Sequence, residues 1–284
     1  MPTQAIDLGA RTVLRLSGGD RERYLNGQVS NDVRKLSGEN AIAACVTTLK
    51  GKLDALVHIT TLDEAFLIDS EIELREPLHA RLDKYIIADD CELEDVSDDW
   101  RLVHVLGRIE TEHATRKSER FGQPGTDIWL PTDSEIPTDI DLLTPAASES
   151  LRIRNGVPKW GAELTPDTLP AEAGLDATAV DFHKGCYIGQ EVISRIKSVG
   201  RVNRQLRCLR VNGGSATPGQ PLFSGETKVG QLTSVSGEAA VGYIKRGHQD
   251  VGTSLTLEPD PTGEKNLSTS LEIVESSLVR GTET

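Results

Sequence analysis

The chain has 284 residues and a formal net charge of −13, with 37% hydrophobic and 26% charged residues. This length suffices for two or three domains of about 100–150 residues each. A strongly negative chain repels phosphate backbones, so general nucleic-acid binding is not expected. Its apolar runs fall far short of the ~20 residues of a membrane helix, and its N-terminus has no secretory pattern. We therefore expect a cytoplasmic protein that does not bind membranes.

The first elements along the chain have clear start and stop signals. RTVLRLSG predicts a strand, and Asp20 is a candidate N-cap for a helix over RERYLNGQ. AIAACVTTL and LDALVHIT predict a hairpin that turns at Gly51. These elements lead into an alternating region.

Strands and helices alternate over residues 41–140. After the hairpin we expect a strand at AFLID and a helix over EIELREPLHARLDKYII, with Pro77 in its first turn. Further along, the pattern predicts strands at CELEDVS, WRLVHVLG and DIWLP, with a helix over RIETEHATRKSERFG before the last of them. This alternation is typical of a ferredoxin-like α+β unit.

The second half of the chain differs from the first in composition and in its predicted elements. Residues 132–145 are acidic and rich in proline, which predicts a linker. Helices are expected over AASESLRIRNGVPKWG, ending near Gly156, and over IGQEVISRIK. From Gln205 onward, short strands separated by glycine and proline turns predict a small antiparallel β-barrel or sandwich.

Common catalytic and metal-binding motifs are absent from the sequence. It contains no GxGxxG, no GxxxxGK[ST], no GxSxG and no CxxC or HxxxH pair, so no metal site is predicted. Three cysteines, Cys45, Cys91 and Cys208, are predicted to be small buried residues. The fourth, Cys186, lies in a different context.

Residues 184–195, KGCYIGQEVISR, concentrate functional groups around two glycines. A helix that begins near Tyr187–Glu191 would offer free N–H groups and a positive dipole end to anions. Cys186, beside Lys184 and close to His183, is expected to have thiolate character there. The same residues also fit a capped helix with a Glu191–Arg195 ion pair and a buried cysteine.

The wider sequence favours the first interpretation. KGCYIGQE, followed by Arg195, Gly200 and Arg204, resembles the signature of the YgfZ-type folate-binding proteins. These are relatives of the glycine-cleavage T-protein, an aminomethyltransferase, and include proteins of iron–sulfur cluster biogenesis. The resemblance extends to YLNGQVSNDVRKL, to ESLRIRNGVPKWGAEL and to the C-terminal segments PGQPLF, KVGQLTSVS and AAVGYIKR.

The resemblance implies an α+β, T-protein-like fold of three lobes around a central folate funnel. The first lobe would be discontinuous, from residues 1–40 and 141–204. Residues 41–140 would form the inserted ferredoxin-like lobe, and residues 205–284 the C-terminal β-barrel. The implied cofactor is tetrahydrofolate, a flat pterin with an anionic glutamate tail.

The resemblance also implies roles for single residues. Arg152 would pair with the tail carboxylates. Tyr187 and Trp160 would pack on the rings, and Glu191 or Asp32 would accept hydrogen bonds from the aminopyrimidine edge. Three further residues complete the implied folate-binding set: Asn31, Gln190 and Arg195. The implied catalytic residues are Cys186, Lys184 and Asp54.

Departures from the T-protein pattern decide between functions. The hairpin sequence GKLDAL has one acid, Asp54, out of register with the family's acidic pair, and FGQPGTDIWL lacks the pterin-binding glutamate. Val199 stands where the signature usually has a basic residue. These departures favour a folate-binding protein that assists iron–sulfur cluster assembly or repair through Cys186, with assembly proteins or client enzymes as partners. Aminomethyl transfer to tetrahydrofolate is the alternative, and a pure protein-interaction module is a third interpretation.

Overall fold

The computed structural model describes residues 3–200, 202–259 and 269–276. The chain forms two compact units, each built from two stretches: residues 1–144 with 178–195, and residues 145–177 with 196–284. These boundaries differ from the predicted lobes, because strands within residues 3–17 pair with strands from beyond residue 41. The three-lobe division of the chain stays a prediction.

Ten strands in the described part of the first unit form two five-stranded sheets. They are β1 (Thr3–Asp7), β2 (Arg11–Ser17), β3 (Ile42–Thr47), β4 (Leu53–Leu62), β5 (Ala65–Glu71), β6 (Glu92–Asp95), β7 (Trp100–Val105), β8 (Ala114–Ser118), β9 (Gly125–Pro131) and β10 (Ile140–Leu142). One sheet has the order β3-β4-β5-β2-β6 and is antiparallel throughout. The other has the order β10-β1-β7-β9-β8, in which β10 and β1 are parallel.

The two sheets of the first unit share an apolar core. Val13 and Leu67 of the first sheet pack with Leu102 and Trp129 of the second. The pattern follows from the period of a strand, which sends alternate side chains to opposite faces. In β4, for example, every second residue from Leu53 to Ile59 is buried. The predicted hairpin is confirmed, because β3 and β4 are antiparallel neighbours.

Two helices of the first unit lie where the sequence predicts them. Helix α1 (Arg21–Gln28) has Asp20 at its N-cap position, and α2 (Arg75–Asp83) has Pro77 in its first turn. The Asp20 side chain makes no capping hydrogen bond to α1. Its carboxylate accepts instead from the Asp90 N–H at 2.9 Å, so it fixes the loop before β6.

The predicted helix over residues 108–122 is wrong. This segment contains strand β8, which pairs with β9 from Ala114 to Ser118. Lys117 on the other edge of β8 exchanges backbone hydrogen bonds with residues 39 and 41. Glu, Lys and Arg favour helices locally, but β8 is paired on one edge with β9 and on the other with residues 39–41, and this pairing overrides that preference.

A buried ionic network joins the two sheets. The Asp69 carboxylate on β5 accepts from Arg120 at 2.6 and 3.0 Å and from Arg11 at 2.8 and 3.2 Å. Arg120 also donates through Nε to Asp127 of β9 at 2.7 Å. Asp69 and Asp127 are fully buried, and Arg120 holds the pKa of both carboxyls below the ordinary value against the opposing effect of burial.

Ser118, His104 and Asp127 form a buried trio in the same region. His104 Nδ1 lies 2.7 Å from Asp127 Oδ1, and the Ser118 hydroxyl donates to the same oxygen at 2.8 Å. In a hydrolytic triad, serine and carboxylate bond opposite nitrogens of the imidazole. Here both lie at the Nδ1 side, and His104 is fully buried. The trio is therefore part of the core rather than a nucleophilic site.

The second unit contains helix α3 (Pro145–Asn155) and a closed barrel, as the sequence predicts. The barrel order is β11-β14-β13-β12-β15-β16. Its strands are β11 (Arg204–Asn212), β12 (Pro221–Ser224), β13 (Thr227–Ser236), β14 (Ala239–Lys245), β15 (Ser254–Thr256) and β16 (Ser270–Val274). Ile153 of α3 packs on Leu206 and Tyr243 of the barrel.

Helix α4 (Gln190–Val199) begins in the first unit and ends in the second. It confirms the helix predicted over IGQEVISRIK. Of the three cysteines predicted to be buried, Cys45 and Cys208 are buried and Cys91 is partly exposed. No helix among the described residues combines the length and the apolar character needed to cross a lipid bilayer.

Candidate functional site

Residues 26–31, which are the last residues of α1 and the turn after it, lie against residues 179–189 in the first unit. Ser30 is the centre of this contact. Its carbonyl accepts from the Asp181 N–H at 3.0 Å, and its hydroxyl donates to the Ala179 carbonyl at 2.6 Å. The same hydroxyl accepts from the Cys45 N–H of β3 at 2.8 Å. The segment before KGCY is thus tied to the sheet.

Lys184 is the next anchor. It is only 6% exposed, and its Nζ donates to the carbonyl oxygens of Asn26 (2.6 Å), Val29 (2.7 Å) and Asn31 (2.8 Å). An ammonium group has three N–H donors, so all of them are used. Burial lowers the pKa of Lys184 to about 8, against the opposing influence of the carboxylate of Asp32.

Three consecutive residues anchor the other side of the motif. Tyr187 is buried; its burial raises the pKa of its hydroxyl, which has no hydrogen-bond partner within the described structure. The Ile188 N–H donates to the Gly27 carbonyl at 3.2 Å, and its carbonyl accepts from the Thr47 hydroxyl at 2.7 Å. Gly189 has φ +88°, and a Cβ there would lie 2.5 Å from Thr47 Oγ1, so only glycine fits.

The residues between these anchors are exposed. Gly185 and Cys186 form a short tip between the buried side chains of Lys184 and Tyr187. The thiol is therefore presented to solvent on a firmly held backbone. Because Lys184 directs its three donors to carbonyl groups, it has no donor left for a thiolate at Cys186. A thiolate at Cys186 would therefore receive no hydrogen bond from Lys184, and the influence of the Lys184 charge on the thiol stays a prediction.

The competing interpretation of the motif is wrong in both of its particulars. It expects a buried cysteine, whereas Cys186 is exposed. It also expects an ion pair between Glu191 and Arg195 on α4. Both side chains are exposed, and neither takes part in an ion pair within residues 3–200, 202–259 and 269–276. Two opposite charges on α4 are thus available to a ligand or partner.

Asn31 and Asp32 are engaged within the first unit. The Asn31 amide donates to the Ala43 carbonyl at 2.8 Å. The Asp32 carboxylate accepts from Arg34 at both oxygens, at 2.8 and 2.7 Å. Arg34 holds the pKa of Asp32 below its ordinary value. Asp32 is therefore an arginine-paired carboxylate next to the Lys184 anchor, rather than a free acceptor for a ring edge.

Asp54, the remaining predicted catalytic residue, also has a protein partner. Its Oδ2 accepts from Arg81 Nε at 3.0 Å. Arg81 further donates to the Gln28 side chain and the Thr47 carbonyl, both at 3.1 Å. Asp54 therefore belongs to a small network that ties α2 to the β3–β4 hairpin.

Arg152, the predicted anchor of the folate tail, lies buried in the second unit. Its Nε and one Nη donate to Glu149 at 3.0 and 2.6 Å. The other donors go to the Val157 carbonyl (2.6 Å), Glu163 (2.9 Å) and the Ser234 hydroxyl (2.9 Å). A guanidinium has five N–H donors, so none is left for a ligand. These bonds give Arg152 a structural role, and its predicted contact with a folate tail stays a prediction.

Trp160 and Gln190 complete the predicted set. Trp160 belongs to the second unit, is half-buried and pairs through its backbone with Leu164. Gln190 is the first residue of α4, and its Nε2 lies 3.5 Å from the Gly185 carbonyl, at the base of the exposed tip. The structure thus brings Lys184, Cys186, Tyr187 and Gln190 together with Asn31.

Sequence reasoning missed Glu163, the buried partner of Arg152. Its Oε2 also accepts from the Lys159 N–H at 3.0 Å, and its Oε1 accepts from Ser234 at 2.6 Å. A lone glutamate in the loop segment AELTPDT carries no periodic signal that it is buried. Across the parts of the chain that the structure describes, no group of three His, Cys, Asp or Glu side chains could hold a metal ion.

Comparison with solved structures shows the fold. The chain superimposes on the glycine cleavage system aminomethyltransferase T of Bartonella henselae with a TM-score of 0.81, over 98% of this chain and 86% of that one, at 18% identity. The match confirms the predicted T-protein-like α+β fold, including its closed antiparallel barrel. No family model matches the chain.

Curated relatives extend the comparison. A tRNA-modifying protein YgfZ of Cronobacter sakazakii is 25% identical over 75% of this chain and 73% of its own length. An iron–sulfur cluster assembly factor, the mitochondrial IBA57 homolog of Neurospora crassa, is 25% identical over 74% of this chain and 54% of its own length. The chain is thus similar in sequence to proteins named YgfZ and IBA57, and it has the fold of the T-protein.

A further relative of this chain comes from Arabidopsis thaliana. It is named as a candidate chloroplastic transferase and is 26% identical over 91% of this chain and 69% of its own length. The names of these relatives include mitochondrial and chloroplastic forms. The cytoplasmic location of the present chain therefore stays a prediction.

Proposed function

We propose that this protein binds a reduced folate and assists the assembly or repair of iron–sulfur clusters on partner proteins through Cys186. The observation that carries the proposal is the exposed Gly185–Cys186 tip, held between the buried residues Lys184 and Tyr187. The name of the IBA57 relative, a cluster assembly factor, supports the same class of function.

The chemistry of the tip suits a cluster as cargo. Cysteine thiolates are the usual ligands of iron–sulfur clusters, which typically take four. One exposed thiol supplies a single ligand, so the remaining ligands would come from a partner protein. An exposed thiol on a fixed backbone can reach such a partner without a large rearrangement of the chain.

The folate half of the proposal uses the two unpaired charges on α4. The Glu191 carboxylate can accept two N–H groups from an aminopyrimidine edge, and the Arg195 guanidinium can hold a tail carboxylate through two hydrogen bonds. Both side chains are exposed. They fit the ligand better than Arg152 and Asp32, whose polar groups are already engaged. A bound reduced folate would supply a carrier of one-carbon groups.

Removing the thiol should abolish the function. We expect Cys186→Ser to fail to restore an iron–sulfur enzyme in a host that lacks its own related factor, whereas the wild-type chain restores it. Cys91→Ser, a change at a partly exposed cysteine outside the motif, is the matched control and should complement. Full complementation by Cys186→Ser would refute the role of the thiol.

Folate binding can be measured independently of the thiol. We expect calorimetric titration with tetrahydrofolate to show binding by the wild type, and Glu191→Ala to weaken it roughly 10-fold or more, because a charge-assisted hydrogen bond contributes about 1.5–3 kcal/mol. Glu226→Ala, in the second unit, serves as the control. Binding that is unchanged in Glu191→Ala would place the ligand elsewhere.

Aminomethyl transfer has no specific support in the geometry. It needs a carboxylate free to take part in proton transfer, and Asp54, the local candidate, is paired with Arg81. The alternative therefore stays a sequence-based hypothesis. A measured transfer reaction that Asp54→Asn abolishes would revive it.

A further inference from the structure

We propose that Lys184 is a positioning residue for Cys186: its ammonium group, bonded to three backbone carbonyls, fixes the backbone from which the thiol projects. The inference rests on the proposed function in that it takes the thiol as the acting group. In this proposal Lys184 holds the Gly185–Cys186 tip in place, and it neither transfers a proton nor binds a ligand.

The first step is that the three N–H donors of Lys184 match three backbone carbonyl acceptors in number. The carbonyls of Asn26, Val29 and Asn31 converge on one Nζ within 2.6–2.8 Å. An ammonium satisfies three acceptors around a tetrahedral nitrogen, whereas a planar guanidinium spreads its donors in a fork. Without Lys184 these carbonyls would lose their charged donor, and unpaired buried carbonyl groups are costly.

The second step concerns what else could hold the tip. A Cβ built on Gly185 would have no heavy atom within 4 Å, so no neighbour packs on that face of the residue, and its carbonyl has only the 3.5 Å contact with Gln190 Nε2 described above. Cys186 is exposed as well. The direction of the thiol therefore depends on the anchors at either end, Lys184 and the buried Tyr187, whose ring centre lies 5.2 Å from the Lys184 Nζ.

The third step separates this role from general stability. Lys35 also bonds the same segment, through a 2.7 Å ion pair with Asp181, but it is 62% exposed and lies outside the ring of carbonyls. If any cation on the segment sufficed, loss of Lys35 would disturb the tip as much as loss of Lys184. If the contacts with the carbonyl groups are what holds the tip, only the loss of Lys184 should disturb it.

The test reports the conformation of Cys186 directly. In a Cys91→Ser background, a trifluoromethyl group is attached to Cys186 and followed by fluorine NMR, with Cys45 and Cys208 buried and unlabelled. We expect one narrow resonance for the parent and for Lys35→Met. We expect Lys184→Ala to lose the narrow resonance and to give several or broadened signals. Added propylammonium, which replaces the removed atoms, should restore the single narrow resonance. Tetramethylammonium, a cation without N–H donors, should not.

The outcomes are distinct. A single narrow resonance in Lys184→Ala, or equal rescue by tetramethylammonium, would overturn the proposal. If Lys184→Ala does not fold, Lys184→Met, which keeps the packing of the aliphatic stem, replaces it in the same measurement. If neither variant folds, Lys184 acts through global stability, and the proposal is again overturned. The measurement uses neither folate nor a cluster, so its failure is distinguishable from failure of the proposed function, which the Cys186→Ser complementation reports.

Discussion

Replacing Arg152 with methionine is expected to lower the free energy of unfolding by about 3–5 kcal/mol, the cost of breaking a buried ion pair by removing one partner. The variant keeps an apolar stem but leaves the Glu163 carboxylate, which is 1% exposed, without its arginine. Equilibrium unfolding in urea, followed by circular dichroism, measures the change.

A control variant for Arg152 lies on the same helix. Arg154→Met changes an exposed arginine two residues away and should leave the midpoint nearly unchanged, since surface substitutions usually fall within about 0.5 kcal/mol. The opposite result would be an Arg152→Met protein that is as stable as the wild type but no longer binds tetrahydrofolate. That result would support the folate-tail role inferred from the sequence.

Replacing Asp69 with alanine should have a comparably large effect, also about 3–5 kcal/mol, for the same physical reason. The substitution removes the shared acceptor of Arg11 and Arg120, which are both buried, and leaves Arg11 with Glu71 and Arg120 with Asp127 as their remaining carboxylate partners. Because Asp69 lies in one sheet and Asp127 in the other, the loss weakens the link between the sheets.

The effect of Asp69→Ala should also depend on pH. The pKa of Asp69 is lowered in the folded state, so its ion pairs contribute full stability above the unfolded-state pKa of about 3.9. That contribution is lost as the pH falls further, through the folded-state pKa, and the difference between wild type and variant should shrink. Asp98→Ala, which removes an exposed partner of Arg75, is the control and should shift stability little. Equal stability of wild type and Asp69→Ala at pH 7 would contradict the assignment.

Local signals in the sequence were sufficient for several elements. Asp20 precedes RERYLNGQ as a candidate N-cap, and the helix lies where that signal places it. The alternation in LDALVHIT identified β4 and its hairpin partner. The segment around ATRKS failed because its charged residues favour a helix locally, while the decisive contacts come from β9 and from residues 39–41.

The candidate site shows the limit of such reasoning more sharply. The motif located the exposed cysteine, but it could not show what its neighbours bond. Lys184 bonds carbonyls about 155 residues earlier, and Arg152 reaches Ser234, 82 residues later. A residue type states which bonds a side chain can make, and only the tertiary fold determines which partners arrive within reach. The partners of the two basic residues Arg152 and Lys184 were therefore the part of the site that the sequence could least predict.

The first unit takes residues 178–195 from late in the chain, and this has a consequence for biosynthesis. During synthesis the strands from residues 3–142 emerge first, yet the carbonyls at Asn26, Val29 and Asn31 receive their charged donor only when Lys184 follows. A nascent chain halted before that point carries the sheets without the segment that completes them. Vectorial folding on the ribosome would thus reach its last step for this unit only after the whole of the 145–177 stretch has been made.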